Sequence, residues 1–331
     1  MTRWAILGTG MISHQLVPDL QTVFGDDSVI VVWGRDETRT SVFAGRYGIA
    51  SATTDMAEVL RRDEVDAVYI ATPIATHATI ALEAISAGKH VLIEKPMASS
   101  AAEIAQIFDA ADASGVFAME AMWMKCNPLH VDLLQRVKAG LTGEPRSISA
   151  TFGMPTPPTG RVWTTERGDS AVLDRGIYAV TLAQWVLGEP VEVHASGVVA
   201  DGIDVEARAT LIFANGSRAD IGCSAIGFLD QSATISGTLG WITIEPMFWA
   251  STIGRVHAGS AEAILHSPGR VEHPREGSGF RPMLRAVADA LAAGERRVAA
   301  HDRAATLAVA RTLDVIREQV FDSHGRHAAA G

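Results

Sequence analysis

Two short stretches place groups that can do chemistry where the backbone is constrained. The first, Gly8-Thr9-Gly10-Met11-Ile12-Ser13, follows an apolar run and opens a helical pattern. Gly8 and Gly10 permit a tight turn and let a pyrophosphate approach the amides at the helix start, so Met11 and Ile12 line the same contact. The third position of that fingerprint holds Ser13, still small enough for close packing of helix on strand. The second stretch, "HVLIEKPMASS" over residues 90–100, sets Lys95 between Glu94 and Pro96 at the end of an apolar strand. Proline fixes its own φ and restrains the residue before it, so the lysine emerges from rigid backbone. It reads as an ammonium presented to a ligand at the strand edge, or as a capping lysine paired with Glu94.

A dinucleotide site needs a group for the adenosine ribose. In NAD sites an acid ~20 residues past the glycines takes that role. Here "VVWGRD" offers Gly34 and then Arg35. A small residue followed by a guanidinium leaves space and charge for a 2'-phosphate, which predicts NADP with NAD as the alternative. The competing reading pairs Arg35 with Asp36 on the surface.

The elements that must position these groups are legible in the spacing. Up to about residue 121, apolar runs (4–8, 29–33, 67–71, 90–93) alternate with helical patterns around 38–47 and 76–87, the latter ended by Gly88. Ser100-Ala-Ala-Glu103 is a capping-box signature for the next helix. This grammar predicts βαβ units with a parallel sheet covered on both faces. Beyond about residue 145, strands alternate polar and apolar residues at 147–152, 205–213, 217–223, 233–236 and 241–245, with Asn215-Gly216 marking a hairpin. One helical pattern, "GIYAVTLAQWVLG", precedes most of them, and two follow. The expected architecture is an N-terminal Rossmann domain, 1–121, with a doubly wound parallel sheet. An α+β domain, 122–331, with a large mixed or antiparallel sheet follows it.

Composition narrows the function classes. The chain is 47% hydrophobic and 20% charged with formal net charge −10, and it has no basic run, which argues against nucleic acid or an anionic membrane as partner. Cys126 and Cys223 are too few for a disulfide framework or a thiolate zinc site. The N-terminal stretch lacks a signal-peptide pattern, and no apolar run has spanning length, so the expected location is the cytoplasm. No grouping has metal-ligand spacing, "HASGVVADGID" included, so no metal is expected. Gly-x-Ser-x-Gly is absent.

"GTGMIS", "IATPIATH", "AGKHVLIEKPMA" and "LDRGIY" together resemble the glucose–fructose oxidoreductase / inositol dehydrogenase (Gfo/Idh/MocA) family. "MEAMWMKCNP", "SATISGTLGWITI" and "LDRGIYAV" are similar to its dihydrodiol dehydrogenase and NADP-dependent D-xylose 1-dehydrogenase branch. The resemblance implies that Lys95 contacts the substrate oxygen and the cofactor. It implies that the acid/base, a histidine in many members, is Tyr178. Leu182 stands where the family often has an aspartate, which leaves Asp174, four residues before Tyr178, as a candidate helper. Thr72 and Pro73 shape a loop against the nucleotide, with Ile74-Ala75 where asparagine is common. His77 matches a cofactor-proximal position, although a solvent-facing histidine is the simpler account. Trp123 reads either as a flat wall over the substrate or as core, and Trp163 is a weaker candidate of the same kind. The implied activity is hydride transfer between NADP and a sugar hemiacetal or cyclic diol, in a homo-oligomer of two or more copies. The rivals are a non-catalytic NADP-binding redox regulator and a keto-sugar or dicarbonyl reductase.

Overall fold

The computed structural model describes residues 2–156 and 163–328, with side chains as far as His324. The chain forms two compact units, Met1–Cys126 with Arg275–Leu307, and Asn127–Pro274 with Ala308–Gly331.

In the first unit, β1 (Trp4–Leu7), β2 (Val29–Trp33), β3 (Ser51–Thr53), β4 (Ala67–Ile70), β5 (His90–Ile93) and β6 (Ala118–Glu120) form one six-stranded sheet in the order β3-β2-β1-β4-β5-β6. Every pairing is parallel. WAIL and AVYI are buried at every position because helices cover both faces, which is why these strands read as continuous apolar runs. The connecting helices are α1 (Met11–Phe24), α2 (Glu37–Tyr47), α3 (Met56–Arg61), α4 (His77–Ser86) and α5 (Ala101–Ser114). Ser100 caps α5 by accepting from Glu103 N, while Glu103 reaches back past the cap to Ser99 N, so the expected capping box forms with its return bond shifted by one residue. Strand order reverses between β1 and β4, and ligands of doubly wound sheets bind outside the strand C-termini at such a point.

In the second unit, α6 (Pro128–Lys138) and α7 (Ile177–Leu187) accompany an eight-stranded sheet. Its strands are β7 (Pro145–Gly153), β8 (Pro190–Ala200), β9 (Ile203–Phe213), β10 (Arg218–Ser224), β11 (Ala233–Gly237), β12 (Gly240–Ile244), β13 (Ile253–Ala258) and β14 (Gly269–Glu272), in the order β14-β13-β12-β11-β7-β10-β9-β8. Only β7 and β10 pair in parallel, so the sheet is mixed. The β9–β10 hairpin turns at Asn215-Gly216, where Gly216 has φ +77°. Strand β8, unread in the sequence, alternates half-buried and exposed residues, and its apolar-polar contrast is blurred by Ala, Gly and Ser.

The expected second domain, 122–331, is interrupted. Residues 275–307, with the helix Arg281–Ala292, belong to the first unit. Phe280, Met283, Leu284 and Val287 join the core around Trp4, Leu16 and Leu20. A lone amphipathic helix does not announce which body its apolar stripe will cover, so its spacing could not assign it. A carboxylate completes the tie: Asp19, 1% exposed in α1, accepts from Ser278 N (2.9 Å), Phe280 N (3.1 Å) and Arg281 Nε (2.8 Å). Asp19→Ala leaves those donors without a partner in a closed site, so urea unfolding is expected to show a loss of about 3 kcal/mol. A loss below about 0.5 kcal/mol, the range of ordinary surface substitutions, would remove the tie from the account.

Candidate active site

The glycine turn has the geometry that its sequence implies. Gly8 holds φ +119°, and a Cβ there would lie 2.5 Å from Ala71 O, so β1 and the end of β4 approach too closely for any side chain. Gly10 precedes α1 in extended conformation, no side chain caps the helix, and its first turn carries no acid. An uncapped, uncharged helix start is fitted to an anionic pyrophosphate. Met11 stands exposed beside it and Ile12 is half-buried. Ser13, the departure from glycine, is buried and donates to Gly8 O at 2.8 Å, fastening the turn instead of loosening it.

Gly34 brings the end of β2 against this turn; a Cβ would meet Thr40 Oγ1 at 2.3 Å and Thr9 Cγ2 at 3.3 Å. Arg35 is exposed, and Asp36 uses its carboxylate to accept Arg39 N at 2.8 Å as the cap of α2. Arg39, not singled out in the sequence, donates from Nη2 to Thr9 O at 3.0 Å. Its position one turn into the helix that follows Arg35 was the available signal.

At the neighbouring edge, Thr72 and Pro73 end the β4 loop, and Thr76 Oγ1 bonds to Thr72 Oγ1 (2.8 Å) and Pro73 O (2.7 Å). His77 corrects the expectation of a solvent-facing residue. It is 1% exposed, with Nδ1 2.9 Å from Pro96 O and Nε2 2.9 Å from Thr72 O. Burial, with the nearby Lys95 charge, holds its pKa below the ordinary value. A neutral ring has one N–H, so it donates to one carbonyl at a time and sits between the loops that follow β4 and β5. Helix-start position suggested exposure, but the inward turn of the Lys95-Pro96 loop closes over the ring.

Lys95 is half-buried, and the Lys95–Pro96 peptide is cis. Two buried carboxylates brace its segment. Glu94 accepts from the Tyr69 hydroxyl and, through Oε2, from Lys95 N at 3.3 Å. Burial pushes its pKa up to about 7 against the opposing pull of the Tyr69 hydroxyl and the Lys95 charge. Glu120 accepts Met97 N at 2.9 Å through Oε1, and its Oε2 lies 2.6 Å from His301 Nε2. Neither Glu120 nor His301 stood out in the sequence, because their partners are distant along the chain. Trp123 stands 5.2 Å from the Phe280 ring, and Gly279 (φ +104°) leaves room for its edge. The packing half of its two readings is therefore realised in this unit.

In the second unit, the "LDRGIY" motif folds as a π-helical turn, Val172–Gly176, running directly into α7. Tyr178 is 4% exposed in the first turn of α7, its ring 5.9 Å from Trp249 and 6.3 Å from Phe152. Phe152 and Trp249 stack at 3.6 Å with their planes 10° apart. Arg175 is buried; its Nη1 donates to Met154 O and Ser224 O, and its Nη2 to Thr156 Oγ1 at 3.2 Å. The guanidinium lies 5.6 Å from the Phe152 ring centre and 5.2 Å from that of Trp163. Trp163 thus covers an arginine. Asp174 is half-buried, its carboxylate 3.9 Å from Arg175 Nε. Phe152, Arg175 and Trp249 were not singled out in the sequence; a strand end, the π-helical turn and the short turn Phe248–Ala250 supply them, and only the folded unit gathers them. Among the described residues, no group of three or more His, Cys, Asp or Glu could hold a metal ion.

A doubly wound sheet with a glycine turn at its switch point, joined to a mixed-sheet unit carrying a buried tyrosine, defines a dinucleotide-binding oxidoreductase of two units. Residues 2–122 match the profile of the "oxidoreductase family, NAD-binding Rossmann fold", and residues 130–243 match the GFO/IDH/MocA C-terminal domain. The chain belongs to the Gfo/Idh/MocA family. It is similar to trans-1,2-dihydrobenzene-1,2-diol dehydrogenases: 31% identical to that of Mus musculus over 76% of each chain, and 29% identical to that of Danio rerio over 96% of each. In fold it is similar to a mutant of a 3-ketoreductase from Actinomadura kijaniata in complex with TDP-benzene and NADP (TM-score 0.85, 24% identity, 96% of this chain and 98% of that one). A levoglucosan dehydrogenase in complex with NADH and levoglucosan also has TM-score 0.85, at 21% identity over 97% and 98% of the two chains.

Glu94 links this site to pH. Its folded pKa lies above the ordinary carboxylate value, so the unfolded chain releases this proton first, and folding loses stability as pH rises from about 4.5 to about 7. Glu94→Gln lacks that proton. Its stability relative to wild type should therefore improve between pH 4.5 and 8 by about 3 kcal/mol, at 1.36 kcal/mol per pKa unit. Parallel stability–pH curves from denaturant melts would contradict the assignment.

Proposed function

We propose that this protein is an NADP-dependent dehydrogenase that moves a hydride between the nicotinamide and a carbon of a sugar hemiacetal or cyclic diol. D-xylose and trans-dihydrodiols are the first substrates to test. The observation that carries the reading is Lys95, placed two residues beyond β5 and braced on both sides by buried carboxylates. In this reading Gly8, Gly10, Met11 and Ile12 receive the pyrophosphate, while Thr72, Pro73, His77 and Glu94 shape the nicotinamide end. Arg35 and Arg39 supply the two guanidinium groups for a 2'-phosphate. The cofactor, when bound, accepts or returns the hydride.

The chain's own work is with a proton. Oxidising an alcohol requires the O–H proton to leave as hydride departs from the adjacent carbon. A tyrosine with ordinary pKa near 10 is a poor base at neutral pH unless a cation stabilises its phenolate. Tyr178 takes the proton, and Lys95 is the cation that the family resemblance assigns to the reaction. Asp174, four residues before Tyr178 and half-buried, is the group in this reading that passes the proton onward. The names of the dihydrodiol dehydrogenase relatives support a cyclic substrate.

The exposed face of the large sheet, with Ser149, Thr151, His194, Arg208, Thr210 and Asp220, supports a homo-oligomer in which a second copy covers it. Equilibrium sedimentation tests that expectation. No helix among the described residues is long and apolar enough to cross a membrane.

The deciding experiment follows NADPH formation with a panel of aldoses and cyclic diols, with NAD in parallel. Turnover with at least one of them supports the reading, and tight NADP binding without turnover on any would make the chain a redox-reporting binder. Lys95→Ala and Tyr178→Phe should each lower kcat by 10²–10⁴-fold, the usual worth of a positioned proton transfer. Arg35→Ala and Arg39→Ala should weaken NADP far more than NAD in a binding titration, and equal loss for both cofactors would reverse the preference.

A further inference from the structure

A buried carboxylate holds the start of the π-helical turn that leads to Tyr178. Asp204, at the beginning of β9, is 0% exposed. Its Oδ1 accepts Val172 N at 2.8 Å and the Ser170 hydroxyl at 2.8 Å. Ser170 Oγ in turn accepts Leu173 N at 3.0 Å, and Asp174 N donates to Ser170 O at 2.9 Å. From the other side, Arg317 Nε reaches Asp204 Oδ2 at 3.3 Å. The first amides of a helix have no internal acceptor and carry partial positive charge. Here a serine and an aspartate satisfy two of them in the dry interior.

The consequence concerns direction. A π-turn closes i→i+5 and holds one residue more than an α-turn, and such turns recur at functional sites. Each residue of an α-helix rotates the chain by about 100°, so losing the extra residue would swing every later side chain, Tyr178 included, by about that angle against the sheet. Gly176 places the turn against β10: a Cβ there would stand in van der Waals contact with Cys223 Sγ, at 3.4 Å.

We infer that Asp204 is a positioning residue for the proposed reaction: its hydrogen bonds to Val172 N and Ser170 hold the π-turn and so aim the Tyr178 hydroxyl. This rests on the reading of Tyr178 as acid/base, and the test separates the two. With the full-length protein and a substrate found in the panel, Asp204→Asn keeps an acceptor for Val172 but turns an amide N–H₂ toward the Arg317 donor. It should lower kcat by about 10–100-fold, as a misplacement near 1 Å can. Affinity for NADP should stay unchanged, and the pH limb that Tyr178→Phe abolishes should move to higher pH. Adding Arg317→Gln provides a carbonyl for that amide and should recover most of kcat. Ser170→Ala, the milder variant if D204N does not fold, should show the same pH shift with a smaller loss. D204N or S170A folding with kcat within about twofold of wild type and an unmoved pH limb, while Y178F is inactive, overturns the role of Asp204. Full turnover in Y178F overturns the reading of Tyr178 and the role of Asp204 with it.

Discussion

A carboxylate removed from water must find donors, and in this protein the donors include the backbone amides of irregular segments. Asp19, Glu94, Glu120 and Asp204 are each 5% exposed or less. Asp19 takes Ser278 N and Phe280 N, Glu94 takes Lys95 N, Glu120 takes Met97 N, and Asp204 takes Val172 N. Leaving any of them unpaired is costly in a low-dielectric interior, so each loop is locked to one conformation by the carboxylate's own need. Irregular backbone gains the definition that a strand ladder gives regular backbone.

The two units apply this device to different ends. In the first, Asp19 ties the segment that starts at Ser278 to α1, while Glu94 and Glu120 accept the amides of Lys95 and Met97 just past β5. A half-buried lysine there would be loosely placed without Glu94 and Glu120 beneath its segment. His77 adds a third brace by standing between Thr72 O and Pro96 O. In the second unit the carboxylate lies behind a helix start, and the aromatic wall of Phe152 and Trp249 stands in front. Arg175 pins the ends of β7 and β10 from within that wall.

Much of this fold was legible along the chain. Continuous apolar runs separated by helical periods gave away the parallel sheet, since strands covered on both faces have no reason to alternate. Asn215-Gly216 marked its hairpin because few residues tolerate that turn's backbone. Legibility ended where contacts are remote in sequence. His77 looked exposed at a helix start, yet it is buried by a loop 19 residues on. Residues 275–307 looked like part of the second domain, and only the core around Trp4 and Leu16 shows where their apolar stripe goes.

By itself the sequence determined the class of the long, strongly patterned elements, the glycine turn, the lysine's place beyond its strand and the family resemblance, because these depend on local backbone freedom, side-chain period and short motifs. Tertiary structure alone decided which unit the returning segment joins, which carboxylate serves which amide, that Arg39 stands against the glycine turn, and that the tyrosine follows a π-turn rather than an α-turn. Those outcomes hang on pairs of residues far apart in the chain, whose meeting no local pattern encodes.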